Sequence, residues 1–363
     1  MATSTAVSPQ QQPSPEKTMS FALRVVGDLA AMVNGPLFYI GDKLGIFKAM
    51  DGACPLTTHA LAQKTGLNER YLREWLSAMT ASEYVTYDPG THSFTLPPEH
   101  AAVLAHEDHP FFVAGMMQMI PDHYRLIPDT TKCFQQGGGV PYSNFSEDTF
   151  IGTERLFRTG YVNFLAHQWL AAMPGVYAKL QSGAKVADVG CGRGQALLAL
   201  AKEFPKSTFI GYDNYAPGIE YANETAQKNG VGDRLHFEVC SANVLPQSAD
   251  FDLVMTCDCV HDMVSPEACA RSISGMLAPE GTWFCIEPNV KDKLEENIGA
   301  VAKLFYSVST VQCMSCSLAH GGAGYGAAMG AANIERVTKL AGFTHFRRLD
   351  IENPFNQFFE IKK

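Results

Sequence analysis

Apolar residues recur at helical spacing over residues 19–33 and again over 37–50, and Gly35-Pro36 between them predicts a break between two helices. A shorter pair follows over 57–79. Thr57 and Asn68 have the side chains of N-caps and Gly66 supplies the bend, so this stretch predicts a helix-turn-helix. The period then changes. Tyr84-Val-Thr-Tyr87 and Ser93-Phe-Thr-Leu96 alternate around Asp88-Pro-Gly90, which predicts two short antiparallel strands that form a wing.

Residues 106–180 are mostly of helical pattern, interrupted by Gly137-Gly-Gly139-Val-Pro141, and predict a connector able to cover a pocket. Beyond Ala184, strand and helix patterns alternate. Residues 185–189, 207–212, 234–239, 251–256 and 281–287 read as strands with helices between them, the pattern of a parallel sheet with crossover helices. Residues 344–349 and 357–361 leave no room for a helix between them, so they predict an antiparallel hairpin at the sheet edge. The expected organisation is a disordered tail over 1–15, an α-rich winged-helix domain over 16–107, a helical connector and pocket cover over 108–182, and an α/β, Rossmann-like domain over 183–363.

Composition narrows the function. The chain has 363 residues, 46% of them hydrophobic, enough for two or three packed domains. A net charge of −9 opposes a phosphate backbone, so no nucleic acid is expected as a partner. The second helix of the helix-turn-helix offsets Arg70 and Arg73 with Glu69 and Glu74, which suits a scaffold better than a reader of DNA. The ten cysteines lie mostly in apolar runs and lack the density of a disulfide framework, as in a reducing cytoplasm. The most apolar continuous stretch, 111–120, is about half of what a membrane-spanning helix requires, so no membrane partner is expected. The tail, rich in Ser, Pro and Gln, has neither the apolar core of a signal peptide nor the arginines of a presequence.

The chemistry concentrates at the strand ends. Asp188-Val-Gly190-Cys-Gly192-Arg-Gly194 follows the first strand and opens a helix, so its glycines permit a tight turn and close approach of backbone N–H groups to a ligand. Such a turn serves dinucleotides as well as S-adenosyl-L-methionine. Asp213-Asn214 ends the next strand, about twenty residues on, where a carboxylate can accept from both hydroxyls of a ribose or simply cap a helix. Ser241-Ala242-Asn243 follows the third strand at the same edge and could meet an adenine. The fourth strand runs through Cys257 and Asp258 to His261-Asp262-Met263, and a His there can take a proton near neutral pH or cap the next helix.

Residues 184–363 resemble the class I S-adenosylmethionine-dependent methyltransferases in the acidic-x-Gly-x-Gly-x-Gly motif, the strand-end acid and the closing hairpin. The whole chain after the tail is similar to plant small-molecule O-methyltransferases, in which a winged helix is the dimerisation platform. It is closer still to a group of winged-helix methyltransferases that carry His-Asp-Met, Glu-Pro and a late Gly-rich loop, here His261-Asp-Met263, Glu287-Pro288 and residues 321–330. The resemblance implies a homodimer, His261 as general base with Asp262 beside it, Glu287 orienting His261, and a small-molecule acceptor methylated on a hydroxyl. It also implies donor contacts from Asp188, Gly190, Gly192, Gly194, Asp213, Asn214, Ser241, Ala242, Asn243, Cys257 and Asp258. Tyr142, Tyr306 and Tyr325 are the candidates for touching the acceptor, and the loop at 321–326 is expected to be a flexible lid.

Two departures stand out. Cys257 occupies the place of a donor-contacting Lys of the plant enzymes, and small residues around Ala328 replace their second orienting Glu. Methylation of sulfur or nitrogen without a base therefore stays open beside O-methylation, as does a regulator that binds the donor only as a ligand. A zinc site from Cys257, Cys259, Cys313 and Cys316 lacks metal-type loop spacing, and no metal is expected.

Overall fold

One helix runs from Pro15 to Lys43, straight through the break expected at Gly35-Pro36. A proline inside a helix has no N–H to donate and costs about 3 kcal/mol. Packing beyond it offsets that cost: Phe38 meets Tyr84 edge to face at 4.5 Å, and Trp75 Nε1 donates to the Leu37 carbonyl at 2.9 Å. The structure is a computed structural model that describes residues 13–363, so most of the expected tail lies outside the described residues.

The chain divides between Pro97 and Pro98 into two units. In the first, Thr57 and Asn68 cap the helices Thr58–Thr65 and Glu69–Ala81, with Gly66 in the left-handed turn between them. Strands β1 (Thr86–Asp88) and β2 (Ser93–Thr95) pair antiparallel as the wing. Leu61, Leu72, Trp75, Leu76 and Met79 fill the core. Arg70 and Arg73 are tied to Glu74 and Glu69, so the second helix presents no unbalanced positive face.

The helix Pro15–Lys43 is different in kind. Met19, Phe21, Leu23, Val26, Leu29, Met32 and Val33 are each more than half exposed. By length and composition the helix reaches what a membrane span requires. The expectation drawn from residues 111–120 passed over this stretch, because scattered polar residues break its apolar run.

The second unit holds a seven-stranded sheet: β3 (Lys185–Val189), β4 (Thr208–Asp213), β5 (Leu235–Val239), β6 (Phe251–Cys257), β7 (Leu277–Pro288), β8 (His345–Arg348) and β9 (Asn356–Lys362), in the order β5-β4-β3-β6-β7-β9-β8. Strands β3 to β7 are parallel, and β9 inserts antiparallel between β7 and β8. The chain steps outward from β3 through β4 to β5, then returns to place β6 on the other side of β3. Ligands of open α/β sheets bind where the order reverses in this way, at the carboxyl ends of the strands. Helices Gln195–Glu203 and Ala216–Lys228 pack on one face, and Pro266–Met276 and Gly330–Leu340 on the other. Residues 98–182 form short helices, among them Ala114–Met117, Ile120–Arg125 and Glu147–Gly160, the last continuing as a wide π-helical turn over Tyr161–Trp169.

Candidate active site

The Gly-rich turn after β3 is built by three glycines with positive φ: 78° at Gly190, 53° at Gly192 and 80° at Gly194. A Cβ on Gly190 would lie 2.7 Å from Cys259 Sγ, so that position has neither the dihedral nor the room for a side chain. Asp213, at the end of β4, fixes the turn by accepting from Gly192 N at 2.8 Å and from Tyr215 N at 2.9 Å. A third backbone N–H, that of Asn214, also bonds to this carboxylate, which still has acceptor capacity for a ligand. Asp188 is buried, and its Oδ1 has no hydrogen-bond partner. Burial, reinforced by the nearby Asp213 charge, pushes its carboxyl up to about 7. Asn214 is exposed beside Asp213. Ser241 and Asn243 are exposed and Ala242 half-buried in the turn after β5, at the same edge.

At the end of β6, Cys257 shares a hydrogen bond with Tyr161. Asp258 takes the left-handed conformation, φ 51°, and accepts from Asn356 Nδ2 at 2.8 and 2.7 Å. That amide, from the closing hairpin, steadies a backbone shape that only Gly, Asn and Asp adopt readily. Burial and then Glu287 push the Asp258 carboxyl up to about 8.

His261 follows on a single turn of 3₁₀ helix and is 4% exposed. Its Nδ1 lies 2.7 Å from Glu287 Oε2, while Glu287 Oε1 accepts from Val260 N at 2.9 Å, so one carboxylate holds both ring and backbone. The ring also shares a hydrogen bond with the Cys313 thiol. Burial works against charge on this imidazole, but Glu287 and Cys313 outweigh it and hold the pKa well above 6.5. Asp262 Oδ2 accepts from Tyr142 Oη at 2.8 Å, and burial moves that carboxyl up to about 6.

The tyrosines therefore divide. Tyr142 joins the cluster through Asp262, whereas the Tyr325 hydroxyl is engaged by Glu267 and Arg336, and Tyr306 is half-buried on the helix Ala300–Val311 with its ring outside the hydrogen bonds of the cluster. The loop at 321–326, expected to be a flexible lid, is held in this structure by several backbone bonds. Gly322 N and Gly324 N bond to Ser317, Ala323 N to the Val264 carbonyl at 3.0 Å, and Gly326 N to the His261 carbonyl at 2.9 Å. With Gly321, Gly324 and Gly326 all at positive φ, the glycines shape a bracket that fixes the His261 turn. Glycine composition signals permissive dihedrals, and the backbone here uses them for close bonding.

Sequence reading missed Cys313 as a neighbour of His261, and Glu154 as a neighbour of the Gly-rich turn. Only a fold could join pairs so far apart in the chain. Glu154 pairs with Arg193 and accepts from Gln195 Nε2 at 2.6 Å and Tyr221 Oη at 3.2 Å. Taken together, Asp188, Asp213, Asp258, Asp262 and Glu287 crowd the strand ends around one imidazole. Such an edge favours a cation over an anion, because a cation beside it would draw the raised carboxyls back toward their charged form. Among the described residues, no cluster of His, Cys, Asp and Glu could hold a metal ion.

Residues 32–106 match the Rv2258c-like winged HTH domain family, and residues 180–342 match a methyltransferase domain family. The chain joins a winged-helix domain to a methyltransferase domain. Over 97% of its length it follows a putative O-methyltransferase of Nostoc punctiforme, with a TM-score of 0.72, 22% identity and all of that chain covered. Over 98% it follows human N-acetylserotonin methyltransferase in complex with S-adenosylmethionine, with a TM-score of 0.72, 15% identity and 99% of that chain covered. At these identities the likeness is one of fold, and it bears out the resemblance carried by the glycine motif and the hairpin. Among curated relatives, Methyltransferase GfsG of Streptomyces halstedii is 27% identical over 136 residues, which are 37% of this chain and 49% of the relative. The 27-O-demethylrifamycin SV methyltransferase of Amycolatopsis mediterranei is 31% identical over 103 residues, 28% of this chain and 38% of the relative. The chain thus spans about half or less of the length of the curated relatives it matches.

The buried His261–Glu287 pair yields a pH-dependent stability. The folded pKa of His261 is raised above its unfolded value, so the pair stabilises fully below about pH 6.5 and loses its effect as pH climbs through the folded value. Glu287→Gln should therefore cost about 3 kcal/mol in urea unfolding near pH 6, and the cost should shrink as pH rises through the raised folded pKa of His261. A cost independent of pH would show that the pair is not ionic.

Proposed function

We propose that this chain transfers the methyl group of S-adenosyl-L-methionine to a hydroxyl of a small molecule, with His261 as general base. The observation that carries the donor assignment is the carboxylate-rich edge with its unpartnered, buried Asp188 Oδ1. When bound, the donor supplies an electrophilic methyl carbon on a cationic sulfur, and its ammonium suits Asp188. A dinucleotide would bring a pyrophosphate to the start of the helix Gln195–Glu203, where the Glu154 carboxylate is already held. The turn of Gly190, Gly192 and Gly194, with Asp213 and Asn214 for the ribose and Ser241, Ala242 and Asn243 for the adenine, completes the donor site. Cys257 and Asp258 would add donor contacts from the end of β6.

His261 would take the acceptor's proton at Nε2 while Glu287 holds Nδ1, and Tyr142 and Asp262 would border the acceptor. Positioning supplies the rest of the rate, since holding the reacting atoms about 3 Å apart gives large effective molarities. A second reading, transfer to sulfur or nitrogen without a base, is favoured by one observation: Glu287 and Cys313 keep His261 protonated above the ordinary histidine range.

Incubation with isotopically labelled S-adenosylmethionine and a cell extract, followed by mass spectrometry, identifies the acceptor. With that acceptor, His261→Ala should lower kcat/KM by about 100-fold or more. Because the pKa is raised, the rate should climb with pH above 6.5 rather than below it. A flat profile with an active His261→Ala variant would favour the base-free reading.

Donor binding should also move a proton. Asp188 titrates at about 7 when its Oδ1 lacks a partner, and an ammonium beside it would draw the carboxyl down. S-adenosylhomocysteine should therefore bind more tightly as pH rises toward 8 and release about half a proton at pH 7, rising toward one near pH 6. Calorimetry in buffers of different ionisation enthalpy measures this, and binding without proton release would remove Asp188 from the site.

We further propose that a second copy of the chain covers the helix Pro15–Lys43. Seven of its apolar side chains are each more than half exposed, the kind of contiguous apolar face that marks an interaction surface. Sedimentation should give a dimer that Leu29→Glu converts to a monomer. A monomeric wild type, or one that pellets with lipid vesicles, would contradict this.

A further inference from the structure

The helix Glu147–Gly160 and the π-helical turn that prolongs it touch the Gly-rich edge at three places. Phe150 stacks on Tyr215, ring centroids 3.9 Å apart and planes 10° from parallel. Tyr215 donates its backbone N–H to Asp213, so this aromatic pair joins the cover to the turn that follows the strand-end acid. One turn on, Glu154 grips Arg193, between Gly192 and Gly194, with side-chain exposures of 9% and 10%. The Arg193 guanidinium also lies 3.6 Å over the Tyr221 ring, whose hydroxyl donates to Glu154. Further along, Tyr161 reaches Cys257.

The other side of this helix is braced within the cover. Asp122 accepts from Ser146 N and Oγ at 2.7 Å and from Thr149 Oγ1 at 2.6 Å. Gly115 and Gly152 let two helices approach so closely that a Cβ on Gly115 would lie 2.9 Å from the Gly152 carbonyl oxygen. The cover is therefore stiff, and its hold on the donor turn is local.

We propose that Glu154 is a positioning residue for the donor site: through Arg193 it sets the Gly-rich turn, and with Phe150 it keeps the helix Glu147–Gly160 across the donor's route of exchange. This rests on the reading of the turn as the donor site. A buried ion pair on a close-packed turn breaks as a unit, so the helix acts as a strap that must lift for exchange.

The probe is S-adenosylhomocysteine, with association and dissociation rates measured by stopped-flow tryptophan fluorescence on the full chain. Glu154→Gln removes the charge at nearly constant volume, and Phe150→Ala tests the second hold independently should Glu154→Gln fold poorly. In each variant both rate constants should rise, by about tenfold for dissociation, with Kd changing less than either rate. A residue that merely stabilised the fold would raise dissociation without speeding association. Unchanged association rates in both variants overturn the proposal. Failure of the wild type to bind the probe at all would instead overturn the donor reading on which it rests.

Discussion

Burial of several carboxylates together at the carboxyl edge of the sheet is the constraint from which the rest of this site follows. Asp188, Asp213, Asp258 and Asp262 all have their carboxyls pushed upward, with burial the first cause in each. An interior does not keep such a group of charges without compensation. The protein supplies part of it: backbone N–H groups at Asp213, an amide at Asp258, a tyrosine hydroxyl at Asp262 and the imidazole at Glu287. Asp188 Oδ1 is left over. A proton can neutralise it when no ligand is bound, and in the proposed function the sulfonium and ammonium of the methyl donor would take that proton's place.

The same edge explains why the chemistry sits on fixed elements. Glu287 comes from the longest strand and holds His261 by both ring and backbone, while the bracket at 321–326 bonds the His261 carbonyl from the other side. The motion that exchange demands falls to the cover instead, whose helix Glu147–Gly160 rests on the donor turn through a few side chains.

Much of this architecture was legible in the sequence because it is local. Strand boundaries from Lys185 onward came within a residue or two of those found, except that β7 begins four residues early, at Leu277, across an irregular register with β6. Alternation of period and the glycine turn carry that information without long-range contacts. Gly35-Pro36 misled because tertiary packing around Phe38 and Trp75 overrode a local break signal. Cys313 and Glu154 were illegible for a different reason. Each acts through a partner dozens of residues away, and a lone Cys or Glu in a helix has no spacing that announces such a partner.

The central claim is that the carboxylate edge binds the donor with its reacting sulfur toward His261. A crystal structure of the chain with S-adenosylhomocysteine tests it most directly. The account predicts the amino group on Asp188, the ribose on Asp213 and the sulfur facing the Nε2 edge of His261. Density for the ligand elsewhere, or with its sulfur turned away from His261, would contradict it.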